Sequence, residues 1–155
     1  MRAVVLGVGN ILLSDEGVGV RAIESMARDH VLPPDVELID GGTSAMEMLD
    51  DLAHADLLLI VDCIRSGAPP GTLVRLADEE VPVFMRMKLS PHQVGLSDVL
   101  ATLVITGESP KRLIVHGVEP ASLDTGMELT EPVAARLPDL VAAILADLER
   151  EGFLH

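Results

Sequence analysis

The sequence predicts a three-layer α/β/α fold, in which a mostly parallel sheet lies between two layers of helices. Short aliphatic runs alternate along the chain with segments whose apolar residues repeat at helical spacing, as they do in α/β domains. Three of the runs are nearly continuous in Val, Leu and Ile, as parallel strands buried on both faces require. The chain has 155 residues, which suits one domain over 1–155 and is enough to bury a core.

Five segments are predicted to be strands, and four of them are strongly aliphatic. The aliphatic runs are AVVLGV (3–8), VELID (36–40), DLLLIVD (56–62) and RLIVHGV (112–118). The fifth run, GTLVRLA (71–77), is more polar and begins just after Pro69 and Pro70. We therefore expect this last run to be an edge strand or an antiparallel strand.

Four segments between and after the strands have helical periodicity. The first repeats Val18, Ala22 and Met26 at a spacing of four residues, with Ser14 as the expected N-cap. The other apolar faces are Ala45, Met48, Leu49 and Leu52; Leu96, Leu100, Leu103 and Val104; and Leu137, Leu140, Val141, Ile144 and Leu148. Pro138 is expected either to begin the last helix or to kink it.

The composition excludes several classes of function. With 25 acidic and 11 basic residues, the net charge is −14, so that nucleic acids and anionic membranes would be repelled. No apolar run approaches the roughly 20 residues of a membrane span, and the N-terminus enters a strand pattern without a signal-peptide cleavage region. Because Cys63 is the only cysteine and cannot form an internal disulfide, we expect a protein of the reducing cytoplasm.

The segment LGVGNILLSDEGVGV (6–20) raises the question of whether it binds a phosphate. Its first two glycines begin like a dinucleotide-binding loop, but Leu12 stands where the third glycine would fall, and no Walker lysine follows. The charges of Asp15 and Glu16 would also oppose a phosphate. A nucleotide-binding enzyme is therefore the disfavoured alternative.

The acids and glycines of this segment need a separate explanation. Acids in a first helical turn complement the helix dipole, which would explain Asp15 and Glu16. It does not explain Gly17 and Gly19, because each glycine costs about 1 kcal/mol relative to alanine inside a helix. These glycines indicate that another chain or a ligand comes close to the backbone.

Three carboxylates are predicted to meet at one edge of the sheet. Asp40 and Asp62 end the second and third predicted strands, and Glu16 follows the loop after the first. Ligands of open α/β sheets bind beyond the carboxyl ends of the strands. Because clustered carboxylates repel one another until a proton or a cation joins them, this edge is a candidate cation site.

Either of two histidines could complete such a site. His92 lies at a loop-to-helix junction, whereas His116 lies in a buried strand, where a histidine is more often a hydrogen-bonded core residue. We favour His92, with His116 left open. Two carboxylates and an imidazole would suit a borderline divalent ion such as Ni²⁺ or Zn²⁺. Cys63 alternates to the side of its strand opposite Asp62 and is expected to be a buried hydrophobe rather than a nucleophile.

Five motifs occur in a fixed order along the chain. They are GVGNILLSDEGVGV, DGGTSAMEML, VDCIRSGAPPGT, SPHQVGLSDVL and HGVEPASLDTGMELTEPV. In these motifs and over essentially its whole length, the sequence resembles the hydrogenase maturation endopeptidases, and it is most similar to members that serve uptake-type nickel–iron hydrogenases. The resemblance implies a twisted sheet of about five strands between helical layers.

The resemblance also implies a function, which is removal of the C-terminal extension of a nickel–iron hydrogenase large-subunit precursor after nickel has been inserted. By position it implies Glu16, Asp62 and His92 as metal-contacting residues. It implies Asp40 as a further acid of cleavage or recognition, which makes Asp40, Glu16 and Asp62 the expected catalytic acids. We expect the nickel to arrive with the precursor and the protein to be a monomer. A nickel-delivering or precursor-binding chaperone without hydrolysis is the alternative.

Overall fold

A five-stranded sheet forms the centre of the computed structural model. The structure describes residues 1–81 and 94–155, and in the second range it describes side chains from residue 99 onward. The strands are β1 (Ala3–Val8), β2 (Val36–Gly42), β3 (Leu57–Cys63), β4 (Leu73–Ala77) and β5 (Arg112–Val118). Their order is β2-β1-β3-β5-β4. Neighbouring strands are parallel except β4, which runs antiparallel to β5 at the edge. The predicted mostly parallel sheet and its antiparallel edge strand are confirmed.

The helices of the described residues lie in the connections between the strands and after the last strand. Two 3-10 helices, Ser14–Gly17 and Ala45–Met48, each run directly into an α-helix. The α-helices are α1 (Val18–Asp29), α2 (Leu49–Leu52), α3 (Val94–Ile105), α4 (Glu131–Ala134) and α5 (Leu137–Arg150). Pro138 occupies the first turn of α5, where its missing N–H has no intrahelical partner to lose.

Each face of the sheet is covered by its own set of helices. Because side chains alternate along a strand, β3 contributes Leu59 and Val61 to one face and Leu58 and Ile60 to the other. The first face packs against α1 and α5, through buried residues that include Val18, Ala22, Met26, Leu140, Ile144 and Leu148. The second packs against α2 and α3, through buried residues that include Leu52, Val99 and Leu103. The predicted three layers are confirmed.

Two local predictions for the helices are wrong. Ser14 does not cap α1, because the 3-10 helix intervenes and its hydroxyl donates to the carbonyl of Asp124 at 2.7 Å. Val104 is 69% exposed, whereas Val99 is fully buried. Val99 and Leu103 are four residues apart and share one helix face, and Val104 lies about 100° around the helix from Leu103.

Several strand ends differ from those predicted by one or two residues. β2 continues through Gly41 and Gly42, so that Asp40 lies inside the strand rather than at its end. β4 begins at Leu73 because Gly71 has a φ of +86° and turns the chain before the strand. Among the described residues, no helix is both long enough and apolar enough to cross a membrane.

Candidate active site

Two of the predicted site acids lie at the carboxyl ends of neighbouring parallel strands. Strands β1 and β3 pair with Gly7 opposite Val61, so their carboxyl ends meet at one edge of the sheet. Glu16 lies in the 3-10 helix that follows β1 and is 5% exposed, and Asp62 is the penultimate residue of β3 and is 4% exposed. Both are therefore buried carboxyl groups at the same edge.

The loop after β1 is shaped by Asn10. The side-chain oxygen of Asn10 accepts from the N–H of Leu12 at 2.9 Å, and its carbonyl accepts from the N–H of Leu13 at 3.1 Å. Asparagine favours such turns because its side chain imitates a backbone acceptor. The turn sends the chain back over the end of the sheet, where the 3-10 helix carrying Glu16 begins.

Gly9 marks the point where the two acidic segments converge. Its φ is +125°, a conformation that L side chains avoid. A Cβ atom placed there would lie 1.9 Å from the carbonyl oxygen of Glu16 and 3.6 Å from Oδ1 of Asp62. The main chain of Glu16 and the carboxylate of Asp62 thus both approach one point within 4 Å. A larger residue at position 9 would push these two segments apart.

Asp62 and Cys63 point to opposite faces of β3. Cys63 belongs to the core between the sheet and the helices α1 and α5, so the alternating side chain of Asp62 lies on the α2 and α3 side. The N–H of Cys63 donates to Oδ1 of Asp62 at 2.7 Å. Burial raises the pKa of the Cys63 thiol, and the nearby charges of Asp62, Glu16 and Asp15 raise it further. Because a protonated thiol is a poor nucleophile, the prediction that Cys63 is a buried hydrophobe is confirmed.

Asp40 lies on the adjacent strand at the same edge of the sheet. It pairs with Gly7 of β1 and is exposed, and its Oδ1 accepts from the N–H of Gly42 at 3.0 Å. The carbonyl of Gly42 accepts in turn from the N–H of Gly9 at 2.9 Å. The two glycines after Asp40 therefore connect β2 to the loop that leads to Glu16. Asp40 itself stays accessible to a partner.

His92, the third predicted metal contact, lies outside the described residues. Within the described ranges no group of three or more His, Cys, Asp or Glu side chains is placed to hold a metal ion. Of the three predicted ligands, Glu16 and Asp62 lie within the described residues. Helix α3, which follows His92 in the chain, packs on the face of the sheet to which Asp62 belongs. Two buried carboxylates at one edge fit a divalent cation that needs a further donor.

His116 is a core residue with its own partner, as expected for a buried strand histidine. It is 3% exposed, and its Nε2 lies 2.6 Å from Oδ2 of Asp147 in α5. It pairs in register with Val61, whose side chain faces α1 and α5, so its ring lies on the opposite face of the sheet from Asp62. Burial lowers the pKa of His116. The open possibility that His116 completes the cation site is therefore wrong.

Asp15 has an arrangement that the sequence did not reveal. Its carboxylate is fully buried and accepts from the N–H groups of Ala121, Ser122 and Thr130 and from the Thr130 hydroxyl. The donors lie 106 to 115 residues away along the chain, in a segment without regular periodicity. No local pattern could have identified them.

Glu119 is a second buried acid that the sequence did not single out. It follows β5, is 5% exposed and accepts from the N–H groups of Ser66 at 2.6 Å and Gly67 at 3.1 Å. The Ser66 hydroxyl donates to the same carboxylate at 3.1 Å. Glu119 thus holds the loop that follows Asp62 and β3, which is a structural contact next to the candidate site.

The glycines of the 14–20 segment serve contacts within the protein. A Cβ at Gly19 would lie 2.1 Å from the carbonyl oxygen of Val61 and 2.7 Å from that of Val8. A Cβ at Gly17 would lie 2.8 Å from the Cα of Ile11. The prediction that these glycines admit another chain or a ligand is therefore wrong. They let the start of α1 lie directly on β1 and β3, which brings Glu16 down to the end of the sheet.

The geometry defines an acidic edge with one accessible and two buried carboxyl groups. Asp40 is exposed, whereas Glu16 and Asp62 are buried, and the main chain of Glu16 and the carboxylate of Asp62 both lie next to Gly9. Carboxylates in such an arrangement can bind a divalent cation or orient a water molecule for attack on a carbonyl.

Comparisons with known proteins identify the family of the chain. The hydrogenase maturation protease family profile matches residues 20–147. The hydrogenase 2 maturation protease of Escherichia coli K12 is 49% identical over 153 residues, which are 98% of this chain and 93% of that protein. The hydrogenase expression/formation protein HupD of Rhodobacter capsulatus is 42% identical, covering 97% of this chain and 73% of its own.

A solved structure gives the same result. The hydrogenase maturating endopeptidase HybD from E. coli superposes on this chain with a TM-score of 0.93 at 48% identity, over 98% of this chain and 94% of that one. Sequence and fold thus agree over nearly the whole length, and the chain belongs to the hydrogenase maturation protease family.

Proposed function

We propose that the protein cleaves the C-terminal extension from a nickel–iron hydrogenase large-subunit precursor that already carries its nickel. The observation that carries this proposal is the convergence of Glu16 and Asp62 at the end of β1 and β3, in a chain of the maturation protease family. Two buried carboxyl groups at one edge of the sheet attract a cation. In this proposal the cation is the nickel of the substrate.

Cleavage of an amide bond requires a polarised carbonyl, a delivered water molecule and a protonated leaving nitrogen. The precursor holds the nickel, and Glu16, Asp62 and His92 bind the open side of the ion. This contact aligns the scissile bond with the edge of the sheet. Asp40, which is exposed on the neighbouring strand, orients the water or the extension. The protein thereby acts only on a precursor whose metal is in place.

The experiment measures the mass of a nickel-loaded precursor after incubation with protein variants. We expect Glu16→Gln, Asp62→Asn and His92→Ala each to slow removal of the extension about 100-fold or more, because each loses a group that aligns the scissile bond through the nickel of the substrate. Asp56→Asn is the matched control. Asp56 also accepts from a backbone N–H, that of Arg2 at 2.7 Å, but it lies at the opposite end of the strands, so processing should be unchanged.

Two results would overturn parts of this proposal. Normal processing by all three variants would reject the site. Efficient processing of a metal-free precursor would remove nickel from the mechanism while leaving the peptidase in place. A stable complex that never shortens the precursor would favour the nickel-delivering or precursor-binding chaperone.

A further inference from the structure

We propose that Asp15 is a positioning residue that holds Glu16 in its working position by binding the Ser14–Gly17 turn to the segment 121–130. The inference rests on the proposed function of Glu16 and extends it to a neighbouring side chain. Asp15 does not itself touch the substrate in this proposal. It acts through the backbone of the turn that presents Glu16.

The contacts of Asp15 are unusually complete for one side chain. Oδ2 accepts from the N–H of Ala121 at 2.8 Å, from the N–H of Ser122 at 3.1 Å and from the hydroxyl of Thr130 at 2.7 Å. Oδ1 accepts from the N–H of Thr130 at 2.8 Å. A carboxylate has about four acceptor positions, and the side chain is 0% exposed. The carboxylate is therefore committed to this one segment of the protein.

Backbone hydrogen bonds join the same two segments. The N–H of Ser14 donates to the carbonyl of Gly126 at 2.8 Å, and the N–H of Gly126 donates to the carbonyl of Leu12 at 2.8 Å. The N–H of Asp15 donates to the carbonyl of Ser122 at 3.2 Å. The turn and the segment 121–130 therefore form one hydrogen-bonded unit, with the carboxylate of Asp15 at its buried centre.

Ser14 shows that this unit dictates the backbone of the turn. Its φ is +52°, in the left-handed region that residues other than glycine adopt at a cost of about 1–3 kcal/mol. Such a conformation persists only where the surroundings over-determine it. The surroundings here are the carbonyls of Asp124 and Gly126, which accept from the Ser14 hydroxyl and N–H. The turn would relax if its anchor were weakened.

Relaxation of the turn would displace Glu16 directly. Glu16 follows Asp15 in the same short 3-10 helix, and its carbonyl oxygen packs against Gly9. A shift of roughly 1 Å in a group that aligns a reacting centre can cost about 100-fold in rate. The anchor of Asp15 is thus coupled to the step that Glu16 performs.

The first test is a double-mutant cycle of Asp15→Asn and Glu16→Gln in the processing assay. Asp15→Asn replaces one carboxylate oxygen with an amide NH₂, which faces either the N–H of Thr130 or the N–H groups of Ala121 and Ser122, and so weakens the anchor. We expect its kcat to fall about 10- to 100-fold with little change in KM for the precursor. In the Glu16→Gln background the same change should have almost no further effect, because residues that act as one unit are not additive. A merely structural role would give the same loss in both backgrounds.

The second test covers the possibility that Asp15→Asn fails to fold. Thr130→Val removes the hydroxyl that donates to Asp15 at 2.7 Å, whereas Thr130→Ser keeps it. We expect kcat to fall with Thr130→Val, to recover with Thr130→Ser, and to be insensitive to this pair in the Glu16→Gln background. Thermal unfolding of each variant verifies that the assay compares folded proteins, and Asp56→Asn is again the distant control.

The outcomes separate this inference from the proposed function. If Glu16→Gln processes normally, Glu16 has no part in the proposed site, and the positioning role of Asp15 is rejected with it. If Glu16→Gln is impaired but Asp15→Asn processes like the unmodified protein, or reduces kcat by the same factor in both backgrounds, the positioning role of Asp15 is rejected. Equal kcat for Thr130→Val and Thr130→Ser would reject it in the same way.

Discussion

Because Gly19 has no side chain, helix α1 packs closely against the sheet. The carbonyl oxygens of Val61 and Val8 would lie 2.1 Å and 2.7 Å from a Cβ at this position. Both belong to central strands that cannot move without breaking sheet hydrogen bonds. The first turn of α1 therefore packs directly on β1 and β3 only because residue 19 has no side chain. This contact also places Glu16, three residues earlier, at the carboxyl end of these strands.

Gly19→Ala should destabilise the protein by about 2 kcal/mol or more, because overpacking against fixed backbone outweighs the helix propensity gained. Denaturant unfolding of the variant and of the unmodified protein measures this difference in the free energy of unfolding. Ala27→Gly is the control, because it makes the opposite change at an exposed position of the same helix. It should lower the free energy of unfolding by about 1 kcal/mol through the lower helix propensity of glycine alone. A Gly19→Ala protein as stable as the original would show that the helix shifts without cost.

The edge of the sheet on which the candidate acids lie was predictable from their positions near the strand ends. The motif and strand analysis selected Glu16, Asp40 and Asp62, and the structure places all three at one edge of the sheet. It treated Asp15 as equivalent to Glu16, although Asp15 turned out to be bound by the 121–130 segment. Local spacing encodes which face a side chain occupies but carries no information on a donor more than 100 residues away.

At the scale of elements, α5 is attached to the edge of the sheet by Asp147. This residue is 1% exposed and accepts from Arg75 of β4 at 2.9 Å, from His116 of β5 at 2.6 Å and from Arg150 one turn along α5. Burial alone would raise the pKa of Asp147, but the hydrogen bonds from the two arginines and His116 outweigh it and lower the pKa to about 2. The carboxylate is thus ionised throughout the neutral and mildly acidic range.

These shifts predict that the protein loses stability as the pH falls. Asp147 has a lower pKa in the folded protein than its ordinary 3.8, so its contribution is complete above about pH 4 and is lost as the pH falls towards 2. The lowered pKa of His116 means that the unfolded chain binds this proton more readily, so stability also falls once the pH drops below about 6.5. Denaturant unfolding between neutral pH and pH 3 measures both parts.

Asp147→Asn should cost about 2–3 kcal/mol at neutral pH, because it removes the buried charge that accepts from His116 and from the partly exposed Arg75 and Arg150, and should flatten the loss below pH 4. Asp29→Asn is the matched control. Asp29 also pairs with an arginine, Arg28 at 2.9 Å, but on the surface, where an ion pair contributes little. Equal losses of unfolding free energy in the two variants would show that the hydrogen bonds of Asp147 stabilise the protein no more than a surface ion pair does.

The elements with a repeating apolar pattern were predictable, whereas the 3-10 type of the short helices was not. The five strands and the helices α1, α3 and α5 have enough residues for their apolar pattern to repeat, and the structure contains each of them. The 3-10 helices Ser14–Gly17 and Ala45–Met48 have four residues each, which is too short for a period to appear. This is why α1 was expected to begin directly after Ser14, with Ser14 as its N-cap.

At the scale of the whole molecule, the net charge of −14 is expected to act in encounter with the precursor. A basic face on the precursor would be attracted over a Debye length of about 10 Å at 0.1 M salt. We therefore expect KM for the precursor to rise several-fold between low and high salt while kcat stays constant. Kinetic measurements over a range of salt concentrations test this. A KM independent of salt would leave the acidic surface with a role in solubility alone.

The family assignment also belongs to this scale. The resemblance inferred from five motifs is confirmed by matches over nearly the whole chain. The nickel dependence and the position of His92 stay predictions, because a motif identifies residue types and order, whereas a bound ion and its geometry depend on the partner.

The Asp15 contacts have a consequence for when the protein becomes competent. Asp15 and Thr130 are separated by 115 residues, and domains emerge from the ribosome N-terminus first. A nascent chain that has exposed its first hundred residues already contains Glu16 and Asp62 but lacks the donors that set the turn. In the proposed mechanism, the turn that presents Glu16 is therefore completed only after residues 121–130 have been synthesised.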